Sequence, residues 1–87
     1  MRQLQNQLLI SGVKEGAAIR KLGTSPLIIS VKASGGQGIH YWFKDQNLVG
    51  TTQNNQSIRI AFERIGLHHI SVINDHGLFN KVSFFIE

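Results

Sequence analysis

The stretch from Gly66 to Ile86 limits the fold of this chain more than any other. Ile70 and Val72 alternate with Ser71 and Ile73. That two-residue period belongs to an extended chain whose successive side chains point to opposite faces. Asn74-Asp75-His76-Gly77 follows. These residue types tolerate positive φ and hydrogen-bond their own backbone, so the segment reads as a tight turn. Leu78, Asn80, Val82, Phe84 and Ile86 then alternate with Phe79, Lys81, Ser83 and Phe85. The whole reads as a β-hairpin that closes the chain, a common ending for small antiparallel sandwiches. The hairpin carries no nucleophile set, metal cluster or cofactor loop. Residue chemistry therefore points to a binding or structural module and names no ligand.

The same extended pattern recurs upstream. Leu8-Leu9-Ile10 reads as a short first strand, and Ala17 to Lys21 as a brief extended piece. Gly23-Thr24-Ser25-Pro26 breaks the chain. Leu27, Ile29, Val31 and Ala33 alternate with Ile28, Ser30, Lys32 and Ser34, and the glycine-rich run from Gly35 to Gly38 ends that strand. Ile39 to Lys44 is aromatic and extended, Asp45-Gln46-Asn47 turns, and Leu48 to Thr52 returns. Ile58, Ile60 and Phe62 alternate with Arg59 and Ala61. About seven short strands at regular spacing, with no helical period, predict an all-β fold of the sandwich type.

Composition bounds the rest. The chain has 87 residues, 41% of them hydrophobic and 16% charged, which fits one globular domain. A chain of this size buries roughly 60–65% of its unfolded surface, enough for one thin core and little room for a deep active site. The expected organisation is a linker remnant at residues 1–7 and the sandwich domain at 8–87. The longest apolar runs are too short to span a bilayer, so no membrane insertion of this segment is expected. Cysteine is absent, which excludes disulfides, thiolate chemistry and cysteine-ligated metals. The net charge of +4 is spread along the chain, with no helical stripe gathering the basic residues. A mildly basic soluble surface is the plainer reading and attraction to an anionic polymer or membrane face the other, and no nucleic-acid partner is expected.

Each motif that hints at catalysis fails on context. Phosphate loops need a helix N-terminus downstream. The glycines at 35, 36 and 38 are followed by the strand Ile39-His40-Tyr41-Trp42-Phe43. Ser11-Gly12-Val13-Lys14 matches a Ser-x-x-Lys pattern, but that chemistry needs a buried helix, and glycines stand at 12 and 16. His68 and His69 point to opposite faces of a strand and cannot share a metal. The four histidines are expected at surface or half-buried positions. Asp45 and Asp75 look like turn formers, and the acids show no pairing suited to acid–base work. No catalytic residue, metal or cofactor is expected. In the Tyr41-Trp42-Phe43 strand one face must be core. Trp42 is the better core anchor, but Ile39, Tyr41 and Phe43 make an equally apolar face, so period alone leaves the choice open. The outward members, with Tyr41 and Phe43 as candidates, form a possible contact surface.

A family resemblance adds to this reading. Gly16-Ala17-Ala18-Ile19, Leu27 to Ala33, Gly35-Gly36, Tyr41-Trp42-Phe43-Lys44-Asp45, Leu48-Val49-Gly50, Gly66-Leu67-His68 and Ile70 to Gly77 stand in a characteristic order and spacing. Together they resemble the C-terminal domain of the type 1C bifunctional penicillin-binding proteins of bacteria, over about Leu8 to Glu87. Two turns depart from that pattern: no proline precedes Gly16, and Asp45-Gln46-Asn47 replaces a glycine turn. The resemblance implies an immunoglobulin-like antiparallel β-sandwich at the end of an inner-membrane-anchored peptidoglycan synthase, on the periplasmic side. In such enzymes the glycosyltransferase and transpeptidase domains carry catalysis, and none of their catalytic residues maps here. The implied role is a noncatalytic accessory module that mediates protein contacts or regulates the transpeptidase. Its expected partners are the synthase's catalytic domains or another envelope protein. A carbohydrate- or peptidoglycan-binding module, or an Ig-like repeat of another surface protein, are the alternatives.

Overall fold

A computed structural model describes residues 8–36 and 38–87 of the chain. The linker remnant expected at residues 1–7 lies outside the described residues. Among the described residues there are eight strands and no helix: β1 (Leu8–Ser11), β2 (Ala18–Ile19), β3 (Leu27–Gly35), β4 (Ile39–Lys44), β5 (Asn47–Gln53), β6 (Ser57–Phe62), β7 (Gly66–Asn74) and β8 (Phe79–Ile86). They form a three-stranded sheet in the order β1-β3-β6 and a five-stranded sheet in the order β2-β8-β7-β4-β5. The all-β sandwich expected from alternation is therefore what the chain forms. Two details differ. The brief extended piece after Gly16 is a strand in its own right, so the count is eight. That strand, β2, pairs parallel to β8 through Ala18–Phe85 and Ile19–Ile86, so the sandwich is not wholly antiparallel. The chain leaves β1 in the small sheet and reaches β2 at the edge of the large one. It then runs alongside β8 in the same direction.

The core lies between the sheets. Ile29, Val31 and Ala33 of β3 and Ile60 and Phe62 of β6 face Trp42 of β4, Ile70 and Val72 of β7, and Val82, Phe84 and Ile86 of β8; Leu8 and Val13 close one side. These are the alternate positions of their strands, so one period-2 pattern per strand supplies the buried face. Phe62 and Phe84 meet edge to face at 5.3 Å between ring centres, a geometry worth about 0.5–1.5 kcal/mol beyond area burial.

Trp42 is fully buried, as expected for a core anchor. Its strand partner on β5 is Gly50, and a side chain there would press on Ile58. The glycine therefore gives the Ile58 side chain its room. The indole N–H donates to Thr52 Oγ1 at 2.9 Å, so the largest core side chain has its single polar atom satisfied.

The terminal hairpin follows its sequence closely. Asn74 Oδ1 accepts from the backbone N–H of His76 at 3.0 Å and of Leu78 at 2.9 Å. Gly77 sits at φ +85°, where a side chain would be strained. The side chain of Asn74, itself buried, thus organises the turn between β7 and β8.

Candidate functional site: the outer face of the five-stranded sheet

Trp42 and His40 point into the core, which puts Tyr41 and Phe43 on the outside of the five-stranded sheet. Both are half-buried rather than fully exposed. Register explains why: each lies in a cross-strand row. One row runs Phe79–Ile73–Tyr41–Thr51 across β8, β7, β4 and β5. The next runs Lys81–Ser71–Phe43–Leu48. Phe79 and Leu48, at the outer ends, are 60% and 59% exposed. Side chains in such rows cover one another, so central members are partly shielded while the ends stay open. The opposite, outward face of the small sheet differs. Its central rows are Ser11–Lys32–Ser57 and Ser30–Arg59, polar throughout.

Asp75 anchors one corner of the face. From the hairpin turn it accepts from Tyr41 Oη at 3.1 Å and from the Ile39 backbone N–H at 3.2 Å. The hydrogen bond to this carboxylate, then its negative charge, then burial, hold the Tyr41 phenol above its ordinary pKa. Tyr41 is therefore tied down in a fixed orientation.

The acids and histidines are arranged in ways the sequence did not show. Asp45 sits at φ +56° in the turn between β4 and β5, the turn role expected of it. It also reaches across to β7: Oδ1 accepts from the His69 backbone N–H at 3.0 Å, and Oδ2 lies 3.1 Å from His68 Nδ1. His68 is buried, with Nε2 2.8 Å from the Arg64 carbonyl oxygen and its ring edge-on to Phe62 at 5.0 Å. His40 is buried as well, at 1% exposure, and neither ring nitrogen has a hydrogen-bond partner among the described residues. The expectation of surface or half-buried histidines is thus wrong for His40 and His68. Each falls on the inward parity of its strand, opposite Thr52 and Asn74 in one case and Phe84 in the other, and parity prevailed over polarity. Residue spacing carries no signal for the Asp45–His68 contact. It exists because β4 and β7 are neighbours, a fact of topology.

Two of these contacts resemble catalytic pairs. His69 Nδ1 lies 2.7 Å from Ser83 Oγ on the outer face. A Ser–His pair works as nucleophile and base when a third group orients the base and donors converge on a bound substrate. Here His69 and Ser83 are directly opposite one another on β7 and β8, on an open sheet surface, and His69 Nε2 has no partner among the described residues. They form a cross-strand polar pair. The Asp45–His68 pair lines a hollow of about 230 Å³ with Lys44, Glu63 and Arg64, but both ring nitrogens of His68 are already engaged by the protein. Ser11 of the Ser-x-x-Lys match lies at the end of an edge strand and bonds the Lys32 carbonyl oxygen, far from the helical setting that motif needs. Among the described residues no group of three or more His, Cys, Asp or Glu could hold a metal, and no helix is long and apolar enough to cross a membrane.

No curated protein and no solved structure matches the chain. A family model does, over residues 2–84, which takes in every strand but the last two residues of β8. That match is consistent with an accessory module, and by it the chain belongs to the Penicillin-Binding Protein C-terminus Family.

Proposed function

We propose that this chain is a noncatalytic accessory module of a bacterial peptidoglycan synthase, and that it works by surface contact outside the cytoplasm. The partner is one of the synthase's own catalytic domains, whose transpeptidase it holds in place or regulates. The observation that carries this reading is the outer face of the five-stranded sheet. Phe79, Ile73, Tyr41, Phe43 and Leu48 make two adjoining rows there that no other part of the described chain covers. Large rigid side chains in rows, fixed by β-pairing and by the Tyr41–Asp75 bond, lose little entropy on docking and suit a protein surface. The scattered positive charge adds a long-range component that tunes encounter more than affinity.

The glycan-binding alternative has less support. The sole tryptophan is inside the core with its N–H engaged, which leaves sugar stacking to the exposed Phe79 and Phe85. The test is titration of the isolated chain with the transpeptidase and glycosyltransferase domains of the parent synthase, and separately with soluble peptidoglycan fragments. Binding to a catalytic domain that weakens at least tenfold in the Phe43→Ser, Phe79→Ser double variant supports the proposal. Binding to glycan fragments alone refutes it.

A further inference from the structure

Among the described residues the sandwich has four edge strands, and they are not alike. β2 is two residues long and β1 four. β6 carries Arg59. β5 is seven residues long, Asn47-Leu48-Val49-Gly50-Thr51-Thr52-Gln53, with no charge and no proline. Among the described residues it forms the end of the five-stranded sheet and pairs with β4 alone. Leu48 and Val49 on it are 59% and 40% exposed. Natural edges are usually blunted by charge, proline or brevity, because an open ladder of backbone groups templates another strand. β5 has no charge or proline and is not short; a register shift opposite Trp42 and Phe43, itself a blunting device, falls at Val49 and leaves the regularly paired residues Gly50 to Gln53 with an open edge.

We propose that β5 is a homotypic docking edge: a second copy of this chain adds its own β5 antiparallel, across a two-fold axis at Thr51. The phase of the strand selects that axis. Gly50 and Thr52 face the core side through their partners Trp42 and His40, while Thr51 faces outward with Tyr41. Directly opposed residues of an antiparallel pair share a face, so the axis must pass through a residue and not between two. The regular stretch runs from Gly50 to Gln53, and within it Thr51 is the outward-facing residue that can sit on the axis with Gly50 and Thr52 paired on either side and the register shift outside them. Gly50 then lies opposite the partner's Thr52, and Thr51 opposite the partner's Thr51. An isologous axis sets nearby charges against their own copies, a penalty that grows with every charged residue on the edge. β5 carries none, so its sequence is self-compatible, and threonine–threonine is a favourable cross-strand pair.

The consequence reaches the outer face. The row Phe79–Ile73–Tyr41–Thr51 ends at the axis. In the pair it continues across the two Thr51 side chains into the same row of the second copy, which brings the two apolar faces side by side on one sheet surface. The self-pairing stands independently of the synthase reading, because its test requires no other protein. With a net charge of +4 on each copy, the pair strengthens as salt screens repulsion. Capture of an acidic strand from another protein would weaken instead.

Sedimentation equilibrium of the 87-residue chain, over concentration and salt, tests this. The expected result is a monomer–dimer equilibrium that tightens with salt. Thr51→Lys, an exposed change that circular dichroism should show to leave the fold intact, weakens it at least tenfold. Thr51→Glu does the same alone, and an equimolar mixture of the two variants restores association, because unlike charges then face each other at the axis. Leu22→Lys, on an exposed loop elsewhere, leaves association unchanged. A chain that stays monomeric up to about 1 mM, the weak end of specific association, overturns the proposal. So does Thr51→Lys associating as the unaltered chain does, or a mixture that fails to recover.

Discussion

The Trp42–Thr52 hydrogen bond is the sharpest place to test whether the core is sealed as described. Thr52→Val keeps the side-chain shape and removes only the hydroxyl. The indole N–H, in a residue with no solvent exposure, is then left without the acceptor it had at 2.9 Å. An orphaned buried donor costs about 1–3 kcal/mol. For 87 residues at roughly 0.05–0.15 kcal/mol each, total stability is about 4–13 kcal/mol, so the loss is readily measured. In a domain of this size each kcal/mol lowers Tm by about 4–8 °C. Trp42→Phe removes the donor and part of the ring, and costs less than the about 3–5 kcal/mol of truncation to alanine. The double variant has no orphan donor, so it is more stable than the two single losses predict, by about 0.5–3 kcal/mol. Urea unfolding followed by far-UV circular dichroism gives all four corners of the cycle. Trp42 is the only tryptophan, so its fluorescence reports the unaltered chain and Thr52→Val independently. If Thr52→Val lies within about 0.5 kcal/mol of the unaltered chain, the range of an ordinary surface change, water reaches the indole and the sealed-core reasoning fails. Strict additivity refutes the coupling.

Three further outcomes are expected. His40→Leu raises Tm, because it replaces a buried ring whose nitrogens have no hydrogen-bond partner among the described residues by an apolar side chain; a lower Tm shows that His40 has a polar partner in solution. Asp75→Asn lowers the Tyr41 pKa, read in the near-ultraviolet phenolate absorbance of the chain's only tyrosine; an unchanged titration removes Asp75 as the cause. The sign follows: the folded phenol holds its proton more tightly than the unfolded one, so this contribution to stability is complete below the unfolded value near 10 and is lost as pH rises through the higher folded value. Gly12→Ala is more damaging than Gly16→Ala: both sit at positive φ, about 1–3 kcal/mol of strain, but only at Gly12 does the added methyl collide with backbone, at the Ser30 carbonyl, and comparable Tm losses refute that clash.

The sequence by itself determined the fold class and most of the core. Leu27 to Ala33, Ile58 to Phe62 and Leu78 to Ile86 show a two-residue period, and alternation depends only on the geometry of a single extended chain. The Asn74 to Gly77 turn was legible for the same reason, since turn chemistry is local. Three things belong to the tertiary structure alone. The face of Tyr41-Trp42-Phe43 was set by pairing: β4 lies between β7 and β5, which places Trp42 over Val72 and opposite Gly50, and no feature of Ile39 to Lys44 in isolation contains that. The burial of His40 and His68 came from strand parity acting on residues whose polarity pointed the other way. The rows Phe79–Ile73–Tyr41–Thr51 and Lys81–Ser71–Phe43–Leu48 gather residues up to 38 positions apart, because sheet register brings distant segments within side-chain reach. Local pattern specifies which side chains alternate. Only the order of strands in the sheet decides which of them meet, and the candidate contact face is made of such meetings.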